Sequence, residues 1–424
     1  MMKLFNKFFL KSKNLNFLSL EFQKLKKQTE VEKIFKVIEK FSDSSEIRYV
    51  GGCVRKILNR EIVEDIDLAV NLNPEKVSEI FKKNNIKFYK TGIEHGTITA
   101  LINKKRFEIT SLRKDISSDG RHAKVEFYND WYEDASRRDF TINSIYSDIH
   151  GNLYDPFNGK KDLEDGKIIF IGEAEKRITE DYLRILRYVR FFLNYSKKEH
   201  DPNIVKNIKK NLDGVTKISS ERLLDEFKKL VFSYGFIRLT KDKFCLEIIK
   251  LIFPQFKNID IFKNLNSFAK QNIDKVDFIF LLSLMIIDGS DNPDYFIYKF
   301  NISKKDQKRI FFLNDFFSNQ KSNKSFSTNS LQKILYFNGK QSLLDVLYFQ
   351  IFKSKKIDKK IVNLIKYFYD KEPPLLPLRA ITLMTKYHIP EGKQLGEKLK
   401  TIENKWIDNN FQISETEVQE IINN

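Results

Sequence analysis

The stretch GGCVRKILNREIVEDID, residues 51–67, decides the fold of this chain. It follows a short β-type run, Ile47–Val50, which its two glycines bring to an end. It ends at the start of a second predicted strand, Asp65 to Val70, in which apolar and polar residues alternate. Side chains two residues apart share one face of a strand, so Asp65 and Asp67 point one way while the residues between and after them point into a core.

These two carboxylates are candidate metal ligands. Residues two apart along a strand stand about 7 Å from each other, which lets Asp65 and Asp67 converge on hard divalent cations. Glu108 lies in a neighbouring predicted strand and is placed to join them as a third catalytic carboxylate. Paired Mg²⁺ ions about 3.5–4 Å apart would then contact an attacking hydroxyl and a leaving phosphate. The alternative is that Asp-X-Asp is only an exposed strand face, since the tripeptide alone is common.

The residues before the two carboxylates indicate more specifically that this site binds a triphosphate. The turn at Gly51 and Gly52 lets backbone N–H groups approach a triphosphate, and Arg55 adds a charged donor. The competing phosphate motif, Gly-x-x-x-x-Gly-Lys-Ser/Thr, is absent from the sequence, which argues against a P-loop ATPase.

The rest of the chain divides into a mixed first part and a helical second part. Thr97 to Asn103 and Arg106 to Leu112 predict a hairpin, and Pro74 to Asn84 has helical spacing. From about Arg177 onward apolar residues recur at three and four, as in Ser220 to Val231. The pattern therefore predicts an α/β head followed by a long all-helical body.

Composition limits the classes of protein that remain. The chain has 424 residues, 41% of them hydrophobic, and a net charge of +18, from 75 Lys and Arg against 57 Asp and Glu. The charge favours a polyanionic partner such as nucleic acid, although a lysine-rich genome would also produce it. Two cysteines exclude a disulfide scaffold and a multi-thiolate zinc site. The longest apolar run, Phe278 to Ile287, is too short for a bilayer, which needs about 20 residues.

The first residues, Met1 to Leu20, are rich in lysine and asparagine, and we interpret them as a poorly structured extension rather than a signal peptide. Together with the cysteine usage, this predicts a cytoplasmic protein without a membrane association.

Three ordered motifs resemble one known family. They are Gly51 to Asp67, Arg137 to Asn143 and Glu180 to Arg184, and together they are similar to class II tRNA nucleotidyltransferases and bacterial poly(A) polymerases. The similarity is dense over Arg48 to Phe192 and thinner beyond. It implies an α/β nucleotidyltransferase head of the polymerase-β type with a mixed sheet, followed by an all-α neck, body and tail. The expected domains are an N-terminal extension (1–45), the catalytic head (46–165), a helical neck (166–255), and a tRNA-binding body and tail (256–424).

The second motif is expected to hold the nucleotide. From the residues alone, two arginines beside the acidic pair Glu133-Asp134 can equally form a structural ion pair. The resemblance implies that Arg138 contacts the bound nucleotide. It also implies that Asp139 and Asn143 read the ribose through its 2′-OH.

The third motif predicts a helix that reads the base. Thr179 is a credible N-cap, with Glu180 and Asp181 in the first turn. A dipole effect accounts for Asp181, and an (i, i+3) ion pair with Asp181 accounts for Arg184. Neither effect accounts for the recurrence of arginine at every third position, at Arg184, Arg187 and Arg190.

A carboxylate and a guanidinium together match the Watson–Crick edges of cytosine and adenine, each of which offers an amino donor beside a ring-nitrogen acceptor. The family pattern assigns this recognition to Asp181 and Arg184, and triphosphate contacts to Arg187 and Arg190. The stretch Arg113 to Lys124 resembles the family's flexible loop, which assists the change from C to A addition.

Other segments give weaker indications of function. Ile389 to Trp406 resembles the family's tail, Lys56 stands where many members have Asp, and lysine-rich helices of the body can follow tRNA phosphates. The dipeptide His200-Asp201 matches a phosphohydrolase metal motif, but no further histidines surround it, and we interpret it as chance.

The sequence thus predicts an enzyme that adds C, C and A from CTP and ATP to tRNA 3′ ends, with Mg²⁺ and with release of pyrophosphate. Three alternatives stay open: a poly(A) polymerase, a partial enzyme that adds only C or only A, and a non-catalytic RNA-binding protein with the same fold. The expected partners are tRNA, ATP and CTP, and the oligomeric state is open.

Overall fold

The computed structural model describes residues 14–93, 96–118, 123–318 and 323–423. The chain divides into two compact units, the first ending at Ile248 and the second beginning at Ile249. Within the described ranges, no helix combines the length and the apolar character that crossing a membrane requires.

The first unit is built around a seven-stranded mixed sheet with a separate two-stranded hairpin beside it. Its strands are β1 (Ile47–Val50), β2 (Ile66–Val70), β3 (Lys87–Gly92), β4 (Thr97–Ile102), β5 (Lys105–Ser111), β6 (Arg113–Ser118), β7 (Ala123–Phe127), β8 (Tyr146–Ser147) and β9 (Leu153–Tyr154). The sheet order is β3-β4-β5-β2-β1-β8-β9, and β6 pairs with β7. Only the β2–β5 pair is parallel among the strand pairs of the described residues. The expected mixed-sheet head is confirmed.

Helices cover the sheet and continue beyond it. Those that begin before Ile249 are α1 (Asn14–Thr29), α2 (Glu32–Glu39), α3 (Gly52–Leu58), α4 (Pro74–Lys83), α5 (Trp131–Ser136), α6 (Gly159–Asp165), α7 (Ala174–Glu180), α8 (Leu183–Tyr195), α9 (Pro202–Lys210), α10 (Ser220–Val231), α11 (Phe236–Leu239) and α12 (Lys243–Ile252). The second unit continues with α13 (Ser267–Asn272), α14 (Phe278–Ile286), α15 (Asn292–Phe300), α16 (Lys304–Ser318), α17 (Thr328–Lys353), α18 (Lys359–Tyr369), α19 (Ala380–Tyr387), α20 (Lys393–Asp408) and α21 (Glu415–Asn423). The predicted all-helical remainder is confirmed for the described residues.

The predicted hairpin is present, with its two-residue turn one position earlier in the chain, because β4 ends at Ile102 and β5 begins at Lys105. Strands β4 and β5 pair antiparallel, with Ile102 opposite Lys105. The two residues between them, Asn103 and Lys104, both have positive φ, 47° and 66°. Two consecutive left-handed residues twist a two-residue turn to match the strands, and this places β5 against β2.

The N-terminal prediction is partly wrong. Helix α1 begins at Asn14, so the last residues of the segment expected to be poorly structured are helical, while residues 1–13 lie outside the described residues. Phe22 is fully buried and its ring lies 5.1 Å from that of Tyr49 in β1. Leu18, Phe22 and Leu25 recur at helical spacing, and burying them against the head stabilises α1.

The stretch expected to be a flexible loop, Arg113 to Lys124, contains β6 and the first residues of β7. Residues 119–122 lie outside the described part, and the assisting role of this stretch stays a prediction.

Helix α17 in the second unit is not straight. Gly339 within it has φ 79° and ψ 171°, which kinks the helix. Arg309 holds this region together, because it donates to Asp345 and also pairs with Asp277. The tail-like segment forms α20, which packs with α19 and α21 around Leu383 and Ile402.

A close backbone approach near the start of α6 leads to a stability prediction. A Cβ added at Gly159 would lie 2.0 Å from the backbone oxygen of Thr141, which cannot move without disturbing the turn that carries Asn143. We expect Gly159→Ala to lower the free energy of unfolding by about 2–3 kcal/mol in chemical denaturation. Gly92→Ala is the matched control, because a Cβ there meets Thr97 at an ordinary 3.6 Å. Equal stability of the two variants would contradict the packing of α6 against this turn.

Candidate functional site

The three predicted catalytic carboxylates lie side by side on two parallel strands. Asp67 in β2 is in register with Glu108 in β5, and Asp65 immediately precedes β2. Ile66 and Leu68 are buried, as the alternation predicts, while Asp65 and Glu108 are exposed and Asp67 is half-buried. The pairing of β2 with β5 therefore places Glu108 next to Asp67 and close to Asp65, as predicted.

The charges around Asp67 favour a bound cation. Burial raises the pKa of Asp67, and the neighbouring carboxylates of Glu108 and Asp65 raise it further, against the opposing effect of Arg138 and Arg55. Three oxygen donors with mutual repulsion are the set that a hard divalent ion such as Mg²⁺ neutralises. These residues fit the expected metal.

The glycine turn brings backbone next to the carboxylates. Gly51 has φ 62° and ψ −116°, a conformation that side-chain-bearing residues rarely adopt. A Cβ at Gly52 would lie 3.7 Å from Asp67 Oδ2 and 3.8 Å from an Arg55 nitrogen. Any side chain here would fill the space between the carboxylate and the guanidinium, so the turn keeps that space open for a ligand.

Arg55 is buried and held on two sides. It donates to Asn143 Oδ1, and its guanidinium lies 4.7 Å from the ring centroid of Phe191 in α8. The contact connects the glycine turn to the second motif, which is 88 residues further along the chain.

Asp134 organises the arginine pair of the second motif, and sequence reasoning did not single it out. Its carboxylate is 1% exposed. It accepts from Arg137 Nη2 at 2.6 Å, from Arg138 Nη2 at 3.1 Å and from Tyr146 Oη at 2.7 Å. The structural ion pair left open from the sequence is therefore present. The acidic pair Glu133-Asp134 was the available signal, but only the fold distinguishes the buried member.

Removing the charge of Asp134 is expected to destabilise the protein strongly. Although burial opposes it, the two arginines hold the pKa of Asp134 well below its usual range. A lowered folded-state pKa stabilises the protein above the unfolded carboxyl pKa, about 3.9, and the contribution is lost as the pH falls. We expect Asp134→Asn to cost about 3–5 kcal/mol at pH 7, measured by denaturant unfolding, because two arginines lose their buried partner.

The loss of stability in Asp134→Asn should shrink as the pH falls toward 3. The control is Asp225→Asn, an exposed carboxylate on α10. A loss that stayed constant between pH 7 and pH 3 would contradict the assignment of the effect to the ionised carboxylate.

A second buried ion network holds the arginines of α8. Asp139 accepts from Arg187 Nε at 2.7 Å and from Asn143 Nδ2 at 2.8 Å. Although burial opposes it, Arg187 and these hydrogen bonds lower the pKa of Asp139 below its usual range. Arg187 Nη1 also lies 3.8 Å from Glu226, which accepts from Arg190 as well. The carboxylates of Asp139 and Glu226 thus fix the orientations of the Arg187 and Arg190 guanidinium groups.

Glu226 is a further residue that sequence reasoning missed. It is 2% exposed and lies on the face of α10 that buries Leu223, Phe227 and Leu230. A glutamate on an apolar face at helical spacing was the signal, since such a charge needs a buried partner.

The predicted start of the base-reading helix is wrong. Helix α7 runs through Thr179 to Glu180, and the Thr179 hydroxyl donates back to the Glu175 and Lys176 carbonyls. Asp181 lies between the helices with φ −153° and ψ 103°. Its Oδ1 accepts from the Leu183 amide at 3.1 Å, so Asp181 itself caps α8. The sequence places several capping residues together, and the packing of α7 decides which one is used.

Asp181 and Arg184 both form hydrogen bonds with other residues of the protein. Asp181 Oδ2 accepts from Arg222 Nη2 at 2.8 Å. Arg184 Nη1 donates to Glu180 at 2.6 Å and to the Arg177 carbonyl at 2.8 Å. The ion pair of Arg184 is therefore with Glu180 rather than with Asp181, the partner that the (i, i+3) spacing suggested.

These groups surround one cavity of about 440 Å³. It is lined by Gly51, Gly52, Arg55, Asp67, Arg138, Asp139, Asn143, Asp181, Leu183, Arg184, Arg187, Arg190, Phe191 and Arg222. Every predicted nucleotide-binding residue is in this lining, whereas Asp65 and Glu108 lie outside it. Arginines predominate over carboxylates, so the cavity has the charge that a nucleoside triphosphate requires.

Two segments of the chain match known protein families. Residues 47–169 match the family described as "Poly A polymerase head domain", and residues 200–259 match "Probable RNA and SrmB- binding site of polymerase A". The resemblance to the tRNA nucleotidyltransferase and poly(A) polymerase family is confirmed over these segments.

The names of curated relatives agree with this family resemblance. The chain is 46% identical over 192 residues to "CCA tRNA nucleotidyltransferase 1, mitochondrial" of Homo sapiens, covering 45% of this chain and 44% of that protein. It is 38% identical over 192 residues to the "CCA-adding enzyme" of Lactobacillus johnsonii, covering 45% and 47%. The chain thus spans less than half the length of these curated relatives. The fold is similar to that of the Bacillus stearothermophilus CCA-adding enzyme in complex with CTP, with TM-score 0.67, 22% identity and coverage of 89% and 92%.

Proposed function

We propose that this chain, whose residues 47–169 form a poly A polymerase head domain, is an enzyme that adds C, C and A to tRNA 3′ ends. CTP and ATP are the substrates, no nucleic-acid template is used, and pyrophosphate is released. The observation that carries the proposal is the single cavity in which Asp67, the arginines of α8 and the pair Asp181 and Arg184 meet.

In the proposed reaction one P–O bond replaces another. The 3′-oxygen of the tRNA attacks the α-phosphorus of the nucleotide, the bond to pyrophosphate breaks, and the proton of the 3′-hydroxyl passes to solvent. Asp65 and Asp67, with Glu108 beside them, would hold Mg²⁺. Bound there, Mg²⁺ supplies charge stabilisation for the attacking and leaving oxygens.

The chain's own residues bind and orient the nucleotide. We propose that the triphosphate binds against the open turn at Gly51 and Gly52 and the guanidinium groups of Arg138, Arg187 and Arg190, all of which line the cavity. Because Asp139 and Glu226 already hold these α8 arginines in place, little conformational entropy is lost when phosphate arrives.

The ribose contacts that we propose involve Asp139 and Asn143. Asn143 Oδ1 accepts from Arg55 while its Nδ2 donates to Asp139, so the amide orientation is set by two partners. An amide and a carboxylate in fixed positions are suited to recognising a 2′-hydroxyl, which both donates and accepts.

Base selection is proposed for Asp181 and Arg184. The Asp181 carboxylate accepts from the exocyclic amino group of cytosine or adenine, and Arg184 donates to the adjacent ring nitrogen. Uracil and guanine would place a carbonyl against the carboxylate. Since Arg222 occupies Asp181 Oδ2, base binding in this way requires Arg222 to share or release that oxygen.

The helical remainder is proposed to bind tRNA, with the neck at 166–255 and the body and tail at 256–424. The match of residues 200–259 to an RNA-binding family supports this for the neck. The net charge of +18 supports phosphate contacts in general. A cytoplasmic location stays a prediction, since the human relative is named as mitochondrial.

Nucleotide incorporation tests the proposal. tRNA transcripts that end before CCA are incubated with Mg²⁺ and labelled CTP and ATP, separately and together, and the products are sized. Addition of two C and one A followed by arrest is the expected result. C alone or A alone would indicate a partial enzyme, and long A tails on unrelated RNA a poly(A) polymerase. RNA binding without incorporation would contradict the enzymatic proposal.

A further inference from the structure

Three different metal-binding side chains meet in the first unit, outside the lining of the candidate site. They are His200, between α8 and α9, and Asp242 and Cys245 at the start of α12. One ligand atom from each lies within 4.8 Å of the other two. His200 Nε2 is 3.1 Å from both Asp242 oxygens, and Cys245 Sγ is 3.8 Å from the same nitrogen. The carboxylate and the sulfur therefore converge on one ring nitrogen.

These separations suit a tetrahedral zinc ion. Bonds of about 2.3 Å to sulfur and about 2.0–2.1 Å to nitrogen and oxygen place the ligand atoms of such a site about 3.3–3.6 Å apart. The separation of His200 Nε2 from the Asp242 oxygen, 3.1 Å, lies just below this range, and its separation from Cys245 Sγ, 3.8 Å, lies just above it. A donor set of imidazole, carboxylate and thiolate is typical of Zn²⁺ rather than of Mg²⁺, which prefers oxygen ligands.

The histidine ring is held in place by its surroundings. It stacks on Phe192 with ring centroids 3.5 Å apart and an interplanar angle of 15°, and Phe244 packs edge-on at 4.7 Å. The other ring nitrogen, Nδ1, lies 3.0 Å from the Tyr188 hydroxyl. A hydrogen-bond partner on the distal nitrogen is what orients a metal-binding histidine and fixes its tautomer.

Asp242 and Cys245 are also held in place by a contact with each other. Asp242 Oδ1 accepts from the Cys245 amide at 2.8 Å, which ties the two ligands to one turn of backbone. Cys245 is fully buried, so its sulfur is enclosed beside the carboxylate and the imidazole.

The neighbouring residue Asp201 does not contribute to the cluster. Its Oδ1 caps α9 by accepting from the Asn203 amide at 2.8 Å. The interpretation of His200-Asp201 as a chance match to a metal motif is consistent with this. The residues that face His200 lie 42 and 45 residues further along the chain.

A hydrogen-bonded His–Asp pair beside a buried thiol is the simpler alternative. It explains the distance between His200 and Asp242. The cap that Asp242 forms on the Cys245 amide also brings the sulfur near His200, so the two explanations differ in whether the three side chains bind a metal ion.

We propose that His200 Nε2, the Asp242 carboxylate and the Cys245 thiolate bind one Zn²⁺ ion, with a water as fourth ligand. On binding, the S–H bond breaks, a sulfur–zinc bond forms and the proton passes to solvent. The ion would join the segment between α8 and α9 to the start of α12. Because His200 stacks on Phe192 of α8, and α8 carries Arg184, Arg187 and Arg190, the ion would stiffen the helix that lines the candidate site.

Cobalt spectroscopy tests the site independently of enzymatic activity. The 424-residue chain, reduced with a phosphine and freed of metal, is titrated with Co²⁺ in the presence of excess Mg²⁺. A thiolate ligand produces a sulfur-to-cobalt charge-transfer band in the near ultraviolet, which a carboxylate site cannot produce. We expect this band to saturate at one Co²⁺ per chain and to disappear when Zn²⁺ is added.

Matched variants identify the ligands. Cys245→Ser and His200→Gln should each abolish the band and weaken Zn²⁺ binding by more than about 100-fold. Cys53→Ser, which removes the other buried cysteine, should leave the band unchanged. Circular dichroism checks that each variant is folded. A wild-type protein without the band, or a band that persists in Cys245→Ser, would overturn the proposal.

A stability measurement gives a second readout. At a Zn²⁺ concentration about 100-fold above Kd, the wild-type melting temperature should rise by about 5 °C or more. The rise should be absent in His200→Gln and present in Cys53→Ser. An unchanged wild-type melting temperature would also contradict the site, whatever the outcome of the incorporation assay.

Discussion

Asp67→Asn is expected to reduce nucleotide incorporation by about 10³-fold or more, with the loss in kcat. The substitution keeps the size of the side chain and removes its charge. Asp67 is the half-buried member of the acidic group, in register with Glu108 and next to the glycine turn. Without its charge, Asp65 and Glu108 would remain to hold Mg²⁺, and the one carboxylate of the three that lines the cavity would no longer contribute to binding it. Single-turnover incorporation of labelled CTP measures the effect.

Two observations make the Asp67 result specific. Asp43→Asn, an exposed carboxylate before β1, should retain wild-type incorporation. Binding of tRNA to Asp67→Asn should be unchanged, since the residue is not proposed to contact RNA. Incorporation by Asp67→Asn within tenfold of wild type would defeat the metal assignment, and parallel loss of tRNA binding would indicate a general folding defect.

Asp181→Ala is expected to reduce the preference for CTP and ATP over UTP and GTP by about 10- to 100-fold. A hydrogen bond to a charged group is worth about 1.5–3 kcal/mol, and about 1.4 kcal/mol corresponds to a factor of ten. The variant removes both the acceptor for the exocyclic amino group and the repulsion against a carbonyl. The ratio of kcat/KM values for the four nucleotides, measured on one tRNA transcript, reports the change.

Arg222→Ala separates base reading from structure at this position. Arg222 is the protein partner of Asp181 Oδ2, so its removal leaves the carboxylate without that contact but in place. The Oδ1 cap on the Leu183 amide still orients Asp181. We expect Arg222→Ala to keep the nucleotide preference. If Arg222→Ala lost it as fully as Asp181→Ala, the ion pair rather than the carboxylate would be the selecting element.

The β2 segment shows how far local sequence reasoning reaches. Alternation of apolar and charged residues fixed which side of the strand faces the core, and Ile66 and Leu68 are buried accordingly. The hairpin at Asn103 and Lys104 and helix α10 also follow from local patterns. These features depend on interactions between residues close in sequence, so a pattern within one segment contains the necessary information.

The start of α8 shows where such reasoning ends. Thr179, Glu180 and Asp181 are all acceptable near a helix start, and propensity alone does not rank them. Packing of α7 keeps Thr179 inside a helix and leaves Asp181 as the cap. The same limit applies to α1, because the burial of Phe22 against Tyr49 depends on a strand that is distant in sequence.

By itself the sequence determined the α/β head and the helical remainder, and it singled out nucleotide-binding candidates that line one cavity. Motif order and period-two or helical spacing are properties of the chain that need no knowledge of contacts. Only the tertiary structure decided which charges are buried and paired. It gave Asp134 and Glu226 their arginine partners, set Arg222 against Asp181, and brought His200 to Asp242 and Cys245. The physical reason is that a buried charge is stabilised by partners many residues away, and folding alone determines which of them come within hydrogen-bonding distance.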